Sequence, residues 1–262
     1  LLEFVNYTAD KLQALLLIAF RAGGLFITAP LISRNNIPAT VKAGLAVLMG
    51  ILLVPAISLE GVPPMGSLWL LAALAAKELL IGLIIGFFFA LLFYGIRMAG
   101  GIIGFQSGLM MAQVLDPDAS EQTSVVSEFW VIIGSLIFLA IDGHHAIISG
   151  FADSYKVLPI GAATFSGDVW ELLIKFSAYS FVMAVKISAP VMITLFLISV
   201  ALGVIARTVP QMNIFIVGIP INIGIGFLVM ALSLPVFRIL IDKSLMLLDG
   251  QVLNLVSGLA GA

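Results

Sequence analysis

The residues that could do chemistry are few. His144 and His145 are adjacent, with Asp142 two positions earlier. Such a trio offers ligands to one metal ion, but neighbouring helical residues point about 100° apart, and a polar loop end explains them more simply. Membrane desaturases and hydroxylases need several histidine boxes, and one doublet is too few. Lys77 and Glu78 sit inside an apolar pattern running from Leu68 to Phe93. Charges in that setting are what an ion- or proton-coupled carrier uses. Against a carrier, no pair of broken helices occupies corresponding halves of the chain. No P-loop, GxSxG, HExxH or dinucleotide fingerprint occurs. With no cysteine, disulfides, thiolate catalysis, Fe–S clusters and Cys-type zinc sites are excluded. The expectation is a protein that is not an enzyme, with no catalytic, cofactor-binding or metal-binding residues.

The composition says what carries these residues. Of 262 residues, 61% are hydrophobic and 10% charged, against roughly 45–50% and 25% in soluble domains. Twelve basic and 14 acidic side chains are too few for a soluble skin on a domain this size. A mean hydropathy of +1.21 agrees. This is the pattern of a polytopic membrane protein or of one covered by partners. The net charge of −2 gives no electrostatic case for nucleic acid. Glu3 and Asp10 precede the first apolar run and Arg21 interrupts it, so the first thirty residues read as mature fold rather than a secretory signal.

Uncharged runs locate the helices: Leu12–Ile32 (apart from Arg21), Ala43–Leu59, Leu79–Ile96, Met98–Leu115, Phe129–Ile141, Ile187–Ala206 and Asn213–Phe237. About 20 apolar residues span a bilayer, and only some runs reach that. The reading is all-α, with six to eight helical segments, some broken by proline or glycine and some paired as hairpins. Strands are excluded because an open sheet leaves its edge unsatisfied in lipid and the alternation of a barrel is absent. Pro38, Pro63, Pro64, Pro117, Pro159 and Pro210 fall where runs end, and residues 59–67, 116–128 and 153–170 read as connectors. Residues 98–155 hold six acids and no Lys or Arg, which the positive-inside rule places away from the cytoplasm.

Several charges stand within or against apolar runs: Arg21, Lys77, Glu78, Arg97, Lys186, Arg207 and Arg238. Each costs about 2.5–3.5 kcal/mol at a bilayer centre on insertion scales. Snorkelling at helix ends accommodates some, notably Arg97, Arg207 and Arg238. Lys77 and Glu78 are expected to face protein. Small residues support close packing: Glu78, Gly82, Gly86 and Ala90 repeat every four positions, as do Gly100, Gly104, Gly108 and Ala112. That spacing keeps them near one helical face, where small side chains let another backbone approach. Arg238, Asp242 and Asp249 fall on a narrow arc of a C-terminal helix, a solvated stripe or a partner-docking face. The stretch FQSGLMMAQVLDPD, Phe105 to Asp118, combines glycine with soft methionines. It suits either a yielding pore closure or a re-entrant turn packed in a core.

Four motifs carry a resemblance. RAGGLFITAPLISRNNIPATVKAGLAVLMGILLVP (Arg21–Pro55), KELLIGLIIGF (Lys77–Phe87), GGIIGFQSGLMMAQVLDP (Gly100–Pro117) and VPQMNIFIVGIPINIGIGF (Val209–Phe227) resemble, in order, segments of the FliR family of flagellar type III export-gate proteins. The last carries Pro210, Asn213, Phe215, Gly218 and Pro220 of a Pro-x-Met-Asn-x-Phe-x-x-Gly-x-Pro pattern. The virulence-secretion counterpart shares the pattern. The resemblance implies a single-copy, pore-forming subunit, assembled with FliP and FliQ subunits and FlhB in the bacterial inner membrane at the flagellar basal body. Unfolded flagellar proteins would be its cargo. It implies one FliR-like domain over 1–262, with a FliP-like part to about residue 170 and a FliQ-like hairpin from about 171. It also implies a gate lifted out of the ordinary bilayer plane. An inner plug loop would include Phe105, Gln106, Gly108, Met110, Met111, Ala112, Asp116 and Pro117, with Met110 and Met111 pore-facing by inference from softness and position. Lys77, Glu78, Gly82, Gly86, Arg97, Gly100 and Gly104 would serve buried charge and helix packing.

Overall fold

The structure of the chain is a computed structural model that describes residues 2–34, 37–57, 67–109, 125–164, 167–209, 211 and 213–260. Among the described residues there are seven helices and no strand. They are α1 (Leu2–Thr28), α2 (Ala39–Leu53), α3 (Leu68–Gln106), α4 (Val125–Ala140), α5 (Gly143–Val157), α6 (Gly167–Thr208) and α7 (Ile214–Ala260). The all-α expectation holds. Four helices are long and apolar enough to cross a membrane: Lys11–Thr28 within α1, then α3, α6 and α7. The pair α4 and α5, bent by 67°, is long and apolar enough only when the two are taken together, as one broken span or a re-entrant loop.

Helix ends follow local chemistry only in places. Pro38 stands immediately before α2 with ψ at 144°, the position where a missing N–H costs no helical bond. Asn213 caps α7: its Oδ1 accepts the Ile216 N–H at 3.4 Å. This gives the Asn of the Pro-x-Met-Asn pattern a structural task. The break between α4 and α5 falls at Asp142, whose φ of 58° is left-handed, a conformation that Asp tolerates better than most residues.

Charges and prolines do not end the long helices as the run pattern suggests. α3 continues through Arg97, joining two predicted runs into 39 residues. α6 continues through Pro190, and α7 through Pro220 and Pro235. A charge alters where a helix can sit, not whether its backbone bonds form. A proline removes one intrahelical bond, which long flanking segments tolerate. Near Pro190, the Thr194 hydroxyl donates to the Pro190 carbonyl at 2.8 Å.

The chain divides into two compact units. One comprises residues 1–91, 142–176 and 245–262, the other 92–141 and 177–244. In the first, Leu17, Ile18 and Leu25 of α1 are buried with Ile81, Ile85, Phe88 and Phe89 of α3. Phe88 meets Phe176 edge-on, centroids 4.6 Å apart. In the second, Trp130 meets Phe237 edge-on at 4.4 Å, and Phe93 meets Phe138 at 5.4 Å. Such pairs add roughly 0.5–1.5 kcal/mol beyond their buried area.

Removing the cap by Asn213→Ala is expected to cost about 1 kcal/mol, read as a lower unfolding midpoint and faster amide exchange in the first turn of α7. Asn213→Asp should keep both close to the parent.

Candidate functional site

In the first unit, α1 and α3 meet through small residues. A Cβ at Gly24 would overlap the Leu79 carbonyl, and one at Gly82 the Arg21 carbonyl. A Cβ at Gly86 would overlap the Thr28 hydroxyl. That hydroxyl donates across the contact to the Leu83 carbonyl at 3.0 Å. With no side chains between them, the two backbones come close enough for Arg21 to reach Glu78.

Arg21 and Glu78 are both fully buried. Arg21 Nε donates to Glu78 Oε2. Its Nη1 donates to Ser154 Oγ at 3.0 Å, and its Nη2 to the Leu158 carbonyl at 3.2 Å. The guanidinium carbon stands 3.9 Å from the centroid of the Tyr155 ring, a cation–π contact strengthened by the absence of water. The second oxygen of Glu78 accepts the Gly161 N–H at 2.9 Å. Next to it, the half-buried Lys77 donates Nζ to the Ala163 carbonyl at 3.3 Å. Thr164 N–H then donates to the Leu259 carbonyl at 2.9 Å. One arginine thus ties together α1, α3, α5 and the connector 158–164, and that connector reaches the end of α7. A planar fork with five donors suits this task, where an ammonium would not.

The remaining embedded charges lie elsewhere. Arg97 pairs with Glu128 at 3.7 Å with both side chains about half exposed, a contact worth about 0–1 kcal/mol. Lys186, Arg207 and Arg238 are exposed. In the second glycine series, a Cβ at Gly100 would overlap the Ser127 backbone, so α3 meets α4 there. Gly104 is buried.

The proposed plug loop is described only at its start. Phe105 is 71% exposed, and Gln106 is the last residue of α3. Gly108 has φ of 81°, the left-handed turn that ends many helices and favours glycine. Met110, Met111, Ala112, Asp116 and Pro117 lie outside the described residues, as does Pro210. Of the C-terminal motif, Gly218 is buried and Pro220 exposed in the first turns of α7; Phe215 lies in the first turn, but its side chain is outside the described residues.

Asp142, His144 and His145 offer ligand atoms that all lie within 4.8 Å of one another at the α4–α5 bend. His145 Nδ1 stands 3.3 Å from Asp142 Oδ1 with both side chains over 70% exposed. The trio is a polar corner where the chain bends between α4 and α5.

The pattern described as Bacterial export proteins, family 1, matches residues 12–247. Curated relatives cover most of the chain. Flagellar biosynthetic protein FliR of Bacillus subtilis is 30% identical over 97% of this chain and 98% of its own length. The chain belongs to the FliR family of bacterial export proteins. The Aquifex aeolicus FliR is 34% identical over 88% of each chain, and the Pectobacterium carotovorum FliR 36% identical over 80% of each.

For this FliR-family chain, sequence reasoning singles out Arg21 and Glu78 but not their pairing. The two are 57 positions apart, and nothing in one sequence links them. Ser154, Tyr155, Leu158 and Gly161 carry no signal either, since two contribute only backbone atoms.

Removing one partner leaves a buried charge uncompensated, which costs about 3–5 kcal/mol. Arg21→Met alone or Glu78→Leu alone should therefore lower unfolding stability in detergent by that much. The double variant should lose less than either. Singles within 1 kcal/mol of the parent would mean that water reaches the pair.

Proposed function

We propose that this chain is a non-enzymatic, pore-forming subunit of the flagellar type III protein export gate in the bacterial inner membrane. It conducts unfolded flagellar proteins together with FliP and FliQ subunits and with FlhB. The observation that carries the reading is family membership through relatives named as flagellar FliR proteins.

Helix dimensions support an assembled setting. At 1.5 Å per residue, α3 is about 58 Å long, against a hydrocarbon core of roughly 30 Å. Even a tilt of about 40° leaves it too long to lie within the core. Part of this apolar helix needs cover other than acyl chains. In an apolar 18-residue stretch of α3, 61% of the residues are buried, whereas in the corresponding stretches of α6 and α7 17% and 22% are. Their outward faces, with Phe181, Ile193, Phe196 and Leu228 exposed, suit sister subunits. The FliP-like part to about residue 170 and the FliQ-like hairpin after it belong to this proposal. The two long helices α6 and α7, joined through residues 209–213, are what a hairpin requires.

The plug role of Phe105 to Pro117 also belongs to it. Phe105 is exposed and the Gly108 turn closes α3 just before a sequence rich in soft side chains. A proton-coupled carrier acting alone is disfavoured by Glu78. Both its oxygens accept hydrogen bonds from fixed donors, whereas a proton relay needs an acid free to change partners.

Deleting residues 106–116 is expected to leave assembly intact and make resting cells leak ions or small solutes. Unchanged leakage in an intact assembly would remove the plug role. Mild detergent extraction should recover the chain with other hydrophobic subunits, and the purified chain alone should move no small solute into liposomes. A solitary chain that transports would favour the carrier.

A further inference from the structure

A groove in the second unit separates one side of α4 from one side of α7. The helices touch where Phe237 packs on Trp130; a Cβ on Gly134 would stand 3.5 Å from the Phe237 ring. Beside that contact the helices leave a cavity of about 740 Å³. Its walls are two stripes of residues four apart. Ile133, Ile137 and Ile141 form one; Leu234, Arg238 and Asp242 form the other, with Ile239 beside them. Spacing of four puts each stripe on one helical face.

The two charges distinguish this groove from an ordinary apolar crevice. Arg238 is exposed and Asp242 half-exposed. One turn apart, they have the spacing of an ion pair. Yet among the described residues neither carries a hydrogen bond or an ion pair. A cation and an anion thus stand separately beside branched apolar walls, in a helix apolar enough to cross a membrane.

We propose that this groove holds one phospholipid with a zwitterionic, primary-amine headgroup. Its acyl chain lies along the isoleucine stripe, its phosphate on Arg238 and its ammonium on Asp242. The guanidinium presents paired donors to phosphate oxygens, and basic sites between membrane helices take lipid headgroups. The carboxylate selects among lipids. It repels the net negative charge of an anionic lipid, and it accepts hydrogen bonds from a primary ammonium that a quaternary choline lacks. The proposal does not depend on the plug or on pore formation.

The test uses the full chain, extracted in mild detergent with the subunits that accompany it. Native mass spectrometry after exchange into phosphatidylethanolamine, phosphatidylglycerol or phosphatidylcholine should show one retained lipid, several-fold more with phosphatidylethanolamine. The double variant Arg238→Gln, Asp242→Asn should abolish that preference, and Ile137→Trp, which fills the groove, should remove the lipid. A photo-crosslinker placed at position 137 in the otherwise unchanged chain should capture lipid. Equal retention of all three lipids, no retained lipid, or capture of a protein subunit from position 137 would each overturn the proposal.

Discussion

A fully buried arginine and a fully buried glutamate constrain everything around them. Taking either ion out of water costs several kcal/mol even after relaxation, and only dense, well-aimed hydrogen bonding offsets that. Arg21 and Glu78 find it in each other, in Ser154, in the Leu158 carbonyl, in the Gly161 amide and in the face of Tyr155. Those groups come from α1, α3, the end of α5 and the connector 158–164, so satisfying the charges fixes how these four stretches meet. The glycines of α3 are part of the same constraint. With side chains at Gly82 and Gly86, α1 would stand too far away for its arginine to arrive.

The first unit thus satisfies its buried ion pair internally, whereas among the described residues the apolar faces of α6 and α7 stay exposed. Lys186 and Arg207 share that exposed surface with Phe181, Ile193 and Phe196. On the proposed gate role, neighbouring subunits would cover that surface, and the buried ion pair would help hold a fixed frame around the conduit.

Much of this was legible in the residues. The excess of apolar side chains and the lack of a polar skin dictate membrane helices. The four-residue spacing from Glu78 through Gly86 marks a face of α3 that α1 approaches closely. Element boundaries were less legible, because apolar runs record where charges stand rather than where hydrogen bonds stop. Arg97 interrupts a run without interrupting α3, and Pro190 and Pro235 lie within continuous helices. The pairing of Arg21 with Glu78 was not legible at all. Long-range partners, and acceptors that are backbone carbonyls, leave no trace in one sequence. The break at Asp142 rests on a backbone angle that its residue type permits but does not require.

The Gly161 amide offers the most direct measure of the central claim. It lies outside any helix, and its N–H donates to the buried Glu78. In amide hydrogen exchange on the purified chain it should be protected like a core helical amide, and Glu78→Leu should release it. Exchange at the rate of an open loop in the unaltered chain would contradict the account, because the buried carboxylate would then lack the donor that helps hold it.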